Sequence, residues 1–343
     1  MTDLGDLAQR TADRLVERHV GVAVAVVAGD DVAIRGAGSA GGGSSGAPGA
    51  DTVFEIGSVT KVFTSLALAR LAVAGAVELD EPLARLLPDG AAVPSRDGEE
   101  ITLRHLATHT SGLPRLPKGM LLRALVRPST PDPYAGCTAD LLLRGLAATR
   151  LGAAPGRRFR YSNLGAGLLG LALAHRAGTD YPRLVDREIC APTGLSGTGV
   201  TRPALTAQGH TARRRPTPAW NLADLAGAGG LRSTAADLAT FLRAQLGSGP
   251  DDLAEAIVLT RSTEHRRNRF AWIHLGWLGQ RLHPQQGGHL QLWHNGATGG
   301  FTSFAGFDPE RKVAVAVLSN TQRSLDAAGF ELLRTLERTA AAA

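Results

Sequence analysis

Ser58 and Lys61 stand three positions apart in the run Phe54-Glu55-Ile56-Gly57-Ser58-Val59-Thr60-Lys61. At that spacing two side chains share one face of a helix, about one turn apart. A serine hydroxyl is a poor nucleophile until a neighbouring base takes its proton. A buried lysine amine can be that base, because desolvation lowers its pKa, whereas a guanidinium never gives up its proton. The choice of lysine is therefore informative. Only three of the 37 basic residues are lysines (Lys61, Lys118 and Lys312), and the rest are arginines. No other serine has a lysine three residues later. A helix N-cap would explain Ser58 alone, and a surface charge Lys61 alone, but neither explains the pair.

Two more motifs follow in order. Tyr161-Ser162-Asn163 uses one of only three tyrosines and ends a loop opened by Pro155-Gly156. Asn163 precedes a helical pattern that begins at Leu164 and is expected to cap it. His294-Asn295-Gly296 lies on a strand-like stretch that runs into the turn Ala297-Thr298-Gly299-Gly300. His274-Leu275-Gly276 spells the same His-x-Gly pattern without the glycine turn. His105 and His109 have i, i+4 spacing but no glutamate between them, so no metal is expected there. Gly36, Gly38 and Gly41 spell G-x-G-x-x-G, but more glycine follows instead of a helix, and no cofactor is expected.

The elements that must position these residues divide by period. An amphipathic first helix (Leu4, Leu7, Leu15, Val16) precedes strands over Val22–Val27 and Asp31–Arg35, joined at Gly29-Asp30. After a glycine-rich loop (38–46), Val53–Ile56 reads as a strand, and Ser58 opens a helix that closes at Gly75. Helical patterns cover 101–109, 138–148, 164–177 and 233–246, punctuated by proline and glycine. The C-terminal part reads as strands over Phe270–Leu278, His289–His294, Phe301–Phe307 and Lys312–Leu318, with a turn at Asp308-Pro309 and a last helix over 323–338. Strands at both ends with helices between predict an α+β architecture. Residues 1–75 and 261–343 build an α/β lobe around an antiparallel sheet, and 76–260 form an inserted, mainly helical lobe. Asp308, Arg157, Arg158 and Arg213–Arg215 are expected at the surface. Trp220 and Trp293 are candidates to wall a pocket.

Together the three motifs resemble those of the serine β-lactamase-like superfamily, which includes class C β-lactamases, D,D-peptidases, family VIII esterases and related acyltransferases. The resemblance extends to Leu103-Arg-His-Leu-Ala-Thr-His109-Thr-Ser-Gly-Leu-Pro114 and to Ala226-Gly-Ala-Gly-Gly-Leu231, and spans roughly residues 10–320. It implies a site in the cleft between the two lobes, with Ser58, Lys61 and Tyr161 catalytic. Ser58 becomes acylated, and either Lys61 or a Tyr161 phenolate is the base. The backbone N–H groups of Ser58 and, by resemblance, Ala297 form the oxyanion hole. Asn163 is expected to orient Lys61 or a substrate amide. Gly296 is expected to let substrate approach the strand edge, and His294 to hold a substrate carboxylate or assist proton transfer. Many β-lactamases carry Lys-Thr-Gly and a small hydroxyl residue where this chain has His294-Asn295-Gly296-Ala297, which argues against strong binding of a lactam carboxylate.

Composition narrows the class further. The formal net charge of +6 comes from arginines spread along the whole chain, with no basic face interleaved with aromatics, so no nucleic-acid partner is expected. The apolar run Gly21–Ala28 is too short to span a membrane. Cys137 and Cys190 have neither C-x-x-C nor zinc spacing. The N-terminus lacks a signal-peptide pattern, and a cytoplasmic protein is expected. The expected function is a serine acyl-enzyme hydrolase acting on a small-molecule ester or amide. The alternative is an acyltransferase passing the acyl group to an amine or alcohol in a biosynthetic pathway. A non-catalytic scaffold is the third possibility, and the intact triple argues against it.

Overall fold

The termini meet in one sheet because their strands carry complementary apolar alternation. The computed structural model describes residues 3–41, 46–117, 132–201, 204 and 206–341; Lys118 and part of the glycine-rich loop lie outside them. Its main sheet is antiparallel, in the order β2-β1-β10-β9-β8-β7-β6-β5. These strands are β1 (Gly21–Ala28), β2 (Asp31–Gly38), β5 (Glu264–Arg266), β6 (Ala271–His274), β7 (Leu278–Arg281), β8 (Leu290–Ala297), β9 (Thr302–Asp308) and β10 (Val313–Ser319). A two-residue pair, β3 (Phe54–Glu55) with β4 (Arg232–Ser233), stands apart from it.

Successive residues of a strand face opposite sides of a sheet. In β1 and β10 both sides are buried, and the sequence assigns a different residue size to each. Val22, Val24 and Val26 of β1, with Val313, Val315 and Val317 of β10, pack under α1 (Leu4–Val16) and the last helix, α9 (Asp326–Ala341). Ala23 and Ala25, with Ala314 and Ala316, face the main core on the other side. There α7 (Ala235–Gln245) lies against β1, β9 and β10. Alanine on that face lets the helix approach closely.

Helix α2 (Thr60–Val73) is buried around nearly its whole circumference. It packs against α5 (Asn163–Arg176) and α8 (Asp251–Ser262). The helices α3 (Leu103–Ala107), α4 (Ala139–Ala147) and α6 (Tyr181–Val185) complete the helical side. Among the described residues no helix is long and apolar enough to cross a membrane.

Three sequence expectations change. The single strand expected over Phe270–Leu278 is the hairpin β6–β7, because Gly276 takes φ +75° and reverses the chain. Helix α8 was not foreseen. Helix α7, grouped by its pattern with the helical lobe, covers the sheet instead, since helical period alone does not say which surface a helix meets.

Leu333 of α9 is fully buried in the outer core. Leu333→Ala is expected to lower the free energy of unfolding by about 2–5 kcal/mol. Urea denaturation followed by circular dichroism measures this, with an unchanged denaturant slope.

Candidate active site

Ser58 sits in a tight turn, Gly57–Val59, that feeds directly into α2. The turn is pinned from two sides. Ile56 N–H donates to Leu231 O at 3.1 Å, and Leu231 N–H donates to Thr60 Oγ1 at 3.1 Å. On the other side, Ser303 Oγ on β9 donates to Ile56 O at 2.7 Å. Gly57 has φ +49°, a left-handed conformation, and a Cβ there would lie 2.7 Å from Ala297 N. A Cβ on Gly296 would lie 2.0 Å from Ile56 O. Gly296 is therefore the close-packing residue that lets β8 reach the nucleophile turn. This corrects the expectation that it leaves room for substrate, because the Ile56 carbonyl fills that space.

Lys61 is 2% exposed. Its Nζ lies 2.9 Å from Ser58 Oγ and 2.5 Å from Ala228 O, to which it donates. It also stands 4.8 Å from the Tyr161 ring centre. Burial, with the Arg115 guanidinium nearby, pushes its pKa well below the ordinary lysine value. The Tyr161 hydroxyl is hydrogen-bonded to Ser58, and burial pushes its pKa up to about 12. The three residues of the sequence triple thus meet at one oxygen.

The stretch 109–115 positions Tyr161. His109 O accepts from Arg160 N–H at 2.7 Å, and the His109 ring Nδ1 accepts from Ser162 N–H at 3.3 Å. The residues on both sides of Tyr161 are thus clamped by one histidine, whose ring also packs 4.5 Å from the Tyr161 ring. Burial, with Lys61 nearby, lowers the His109 pKa well below its usual value, so the ring is neutral. The sequence reading named His109 only in the i, i+4 pair with His105 and as part of the stretch that carries the resemblance. His105 does separate work, accepting from Thr102 N–H in the cap of α3.

Ser162, not Asn163, caps α5: its Oγ accepts from Gly165 N–H at 2.9 Å and donates to Pro114 O at 2.6 Å. Asn163 is released by this to line the cleft. Its side chain is bonded to Tyr134, while its Oδ1 is buried and has no hydrogen-bond partner. The cleft beside Ser58 holds a cavity of about 30 Å³, lined by Ser58, Tyr134, Asn163, Trp220, Ala297 and Thr298 among others.

His294 also departs from expectation. It is 1% exposed and sits behind the Tyr161 ring, at 6.2 Å between ring centres. Nδ1 donates to Asn295 O at 2.7 Å. Burial, with Lys61 nearby, lowers its pKa to about 3. A neutral, enclosed imidazole is no counter-ion for a substrate carboxylate at neutral pH. Trp293 is likewise absent from the cleft; it stacks on Phe304 and meets Phe330 edge to face on the far side of the sheet. The second His-x-Gly lies elsewhere: His274 Nδ1 donates to Arg261 O at 2.7 Å, and Gly276 backs onto α2.

A nucleophile turn clamped between a helical segment and an antiparallel sheet, with a buried amine on its hydroxyl, defines a serine hydrolase. The Beta-lactamase family model matches residues 8–338, and the chain belongs to that family. It is 30% identical over 328 residues to the D-alanyl-D-alanine-carboxypeptidase/endopeptidase AmpH of Escherichia coli K12, spanning 91% of this chain and 83% of that protein. It is 34% identical over 153 residues to the esterase EstB of Burkholderia gladioli, spanning 43% of this chain and 38% of that one. The structure of a β-lactamase/D-alanine carboxypeptidase from Yersinia pestis superposes with a TM-score of 0.81 at 26% identity, covering 99% of this chain and all of the other.

Gly296→Ala is expected to displace the nucleophile turn and lower kcat/KM about 10²-fold, because sub-ångström positioning of reacting groups is lost. Ester turnover, alongside an unchanged far-ultraviolet circular dichroism spectrum, checks this.

Proposed function

We propose that this enzyme hydrolyses a small-molecule ester or amide through an ester formed on Ser58 Oγ. The observation that carries this reading is the 2.9 Å approach of Lys61 Nζ to Ser58 Oγ, with Lys61 buried enough to favour the neutral amine. Lys61 takes the serine proton as Oγ bonds to the carbonyl carbon, and the carbonyl electron pair moves onto its oxygen. The N–H groups of Ser58 and Ala297 stabilise that charge. Collapse of the adduct expels the alcohol or amine, which leaves with the proton held by Lys61, passed on through the Tyr161 hydroxyl. Water then bonds to the acyl carbon as Lys61 takes its proton; the Ser58 Oγ–carbon bond breaks, the carboxylic acid leaves, and Oγ recovers that proton.

The environments divide the roles. A phenol with a pKa near 12 is neutral at physiological pH, so Lys61 serves as the base and Tyr161 as the proton carrier. Asn163 Oδ1 supports an amide N–H on the substrate as its partner. The neutral His294 supports a substrate that needs no cation at that position. The activities in the names of AmpH and EstB, on an amide and on esters, fit this range. A cytoplasmic setting, where thiols such as Cys137 and Cys190 stay reduced, belongs to the same reading.

Incubation with a fluorophosphonate is expected to add one label per chain at Ser58, seen by intact mass, and none in Ser58→Ala. With activated esters, added amine is expected to leave the rate of acyl loss unchanged; acyl loss only when amine is present would instead establish a transferase.

The pH profile assigns the base. Activity needs the neutral amine, so kcat/KM is expected to fall as pH drops through the depressed Lys61 pKa and to level off above it, well on the acid side of an ordinary lysine. Lys61→Arg is expected to cost about 10²–10⁴-fold, since a guanidinium cannot accept the proton. Tyr161→Phe is expected to lower kcat while keeping the acid limb in place. Loss of that limb in Tyr161→Phe would transfer the role of base to the tyrosine.

A further inference from the structure

A second cluster of polar side chains is enclosed at the opposite end of β8. His289 immediately precedes β8, Asp308 is the last residue of β9, and Glu337 lies on α9. They are 5%, 0% and 4% exposed. One ligand-capable atom from each lies within 4.8 Å of the others. The sequence reading placed Asp308 at the surface as a turn residue. It does make the turn, with Oδ1 accepting from Glu310 N–H at 2.8 Å and Arg311 N–H at 2.9 Å. Its second oxygen points inward at His289 Nδ1, and neither of these two atoms has any other hydrogen-bond partner. Glu337 is held in the same manner, with Oε1 accepting from Gln291 Nε2 at 2.6 Å. Asp308 and Glu337 are thus each held through one oxygen by an outer partner, Glu337 is also bonded to Asp308, and the second oxygen of Asp308 turns to His289. That is how outer hydrogen bonds orient metal ligands.

We propose that His289, Asp308 and Glu337 form a zinc site that ties the last helix to the ends of β8 and β9. Two enclosed carboxylates close together need positive charge between them. A divalent ion supplies it in full and leaves the imidazole neutral, as a ligand must be. One imidazole and two carboxylates are nitrogen and oxygen donors suited to zinc, with a fourth position open. A cavity of about 340 Å³, bordered by His289, Glu337 and Gln285, leads to the cluster from solvent. Arg311, Arg334 and Arg338 also border it, but they are exposed, and water and salt screen their charge. Measured along β8, the cluster lies roughly 25 Å from Ala297, so the bound ion acts on stability and not on the Ser58 chemistry. No sequence spacing announced it, since the ligands come from three elements spread over 49 positions (289 to 337).

The test uses tag-free full-length chain stripped with a chelator. Titration calorimetry with Zn²⁺ is expected to give one site per chain, and Zn²⁺ is expected to raise the thermal midpoint by several degrees while Mg²⁺ does not. Glu337→Gln, which keeps the shape and the Gln291 bond, is expected to weaken binding at least tenfold and abolish the shift, with ester turnover at Ser58 unchanged. Co²⁺ bound to the unmodified chain is expected to show visible absorption that Zn²⁺ displaces, which decides the matter even if the variant folds poorly. Absence of zinc binding, or binding equal in Glu337→Gln, overturns the proposal and leaves a His289–Asp308 ion pair with a protonated Glu337.

Discussion

The site depends on two backbones meeting without side chains between them. Gly57 in the nucleophile turn and Gly296 on β8 approach so closely that a methyl group on either would collide with the other segment. This contact brings the end of a sheet strand beside the first residues of a buried helix. It sets Ser58 and Ala297 around one cavity. The Ser303 hydroxyl, bonded to Ile56 O, holds the join from the neighbouring strand. Without it, the sheet and the helical side would each carry half of a site.

Burial then sets the chemistry at that join. α2 is enclosed on nearly every face, so Lys61 cannot reach water with its charge. Desolvation disfavours the ammonium, and the helix places the amine on Ser58 Oγ. The same enclosure has the opposite consequence for Tyr161, whose charged form is the phenolate, and it keeps His109 and His294 neutral. One enclosure thus favours the neutral form of both the Lys61 amine and the Tyr161 phenol. His109 contributes through the backbone on either side of Tyr161 as much as through its ring.

The chain itself determined much of this. The scarcity of lysine, the Ser58–Lys61 spacing, the placement of Tyr161 and the glycine turn after His294 were enough to anticipate the fold class and the meeting of Ser58, Lys61 and Tyr161. Period-2 alternation revealed β1 and β10, and their pairing of valine with one face and alanine with the other is visible in the letters. These features are local, and local spacing is what a sequence displays. Only the tertiary structure decided which surface each element meets. It enclosed His294 instead of exposing it to substrate, used Gly296 for packing, moved the cap of α5 to Ser162, laid α7 on the sheet, and buried Asp308 beside His289 and Glu337. Each of these outcomes depends on contacts between residues far apart in the chain, where burial, and with it charge state, is settled by neighbours that no short window of sequence contains.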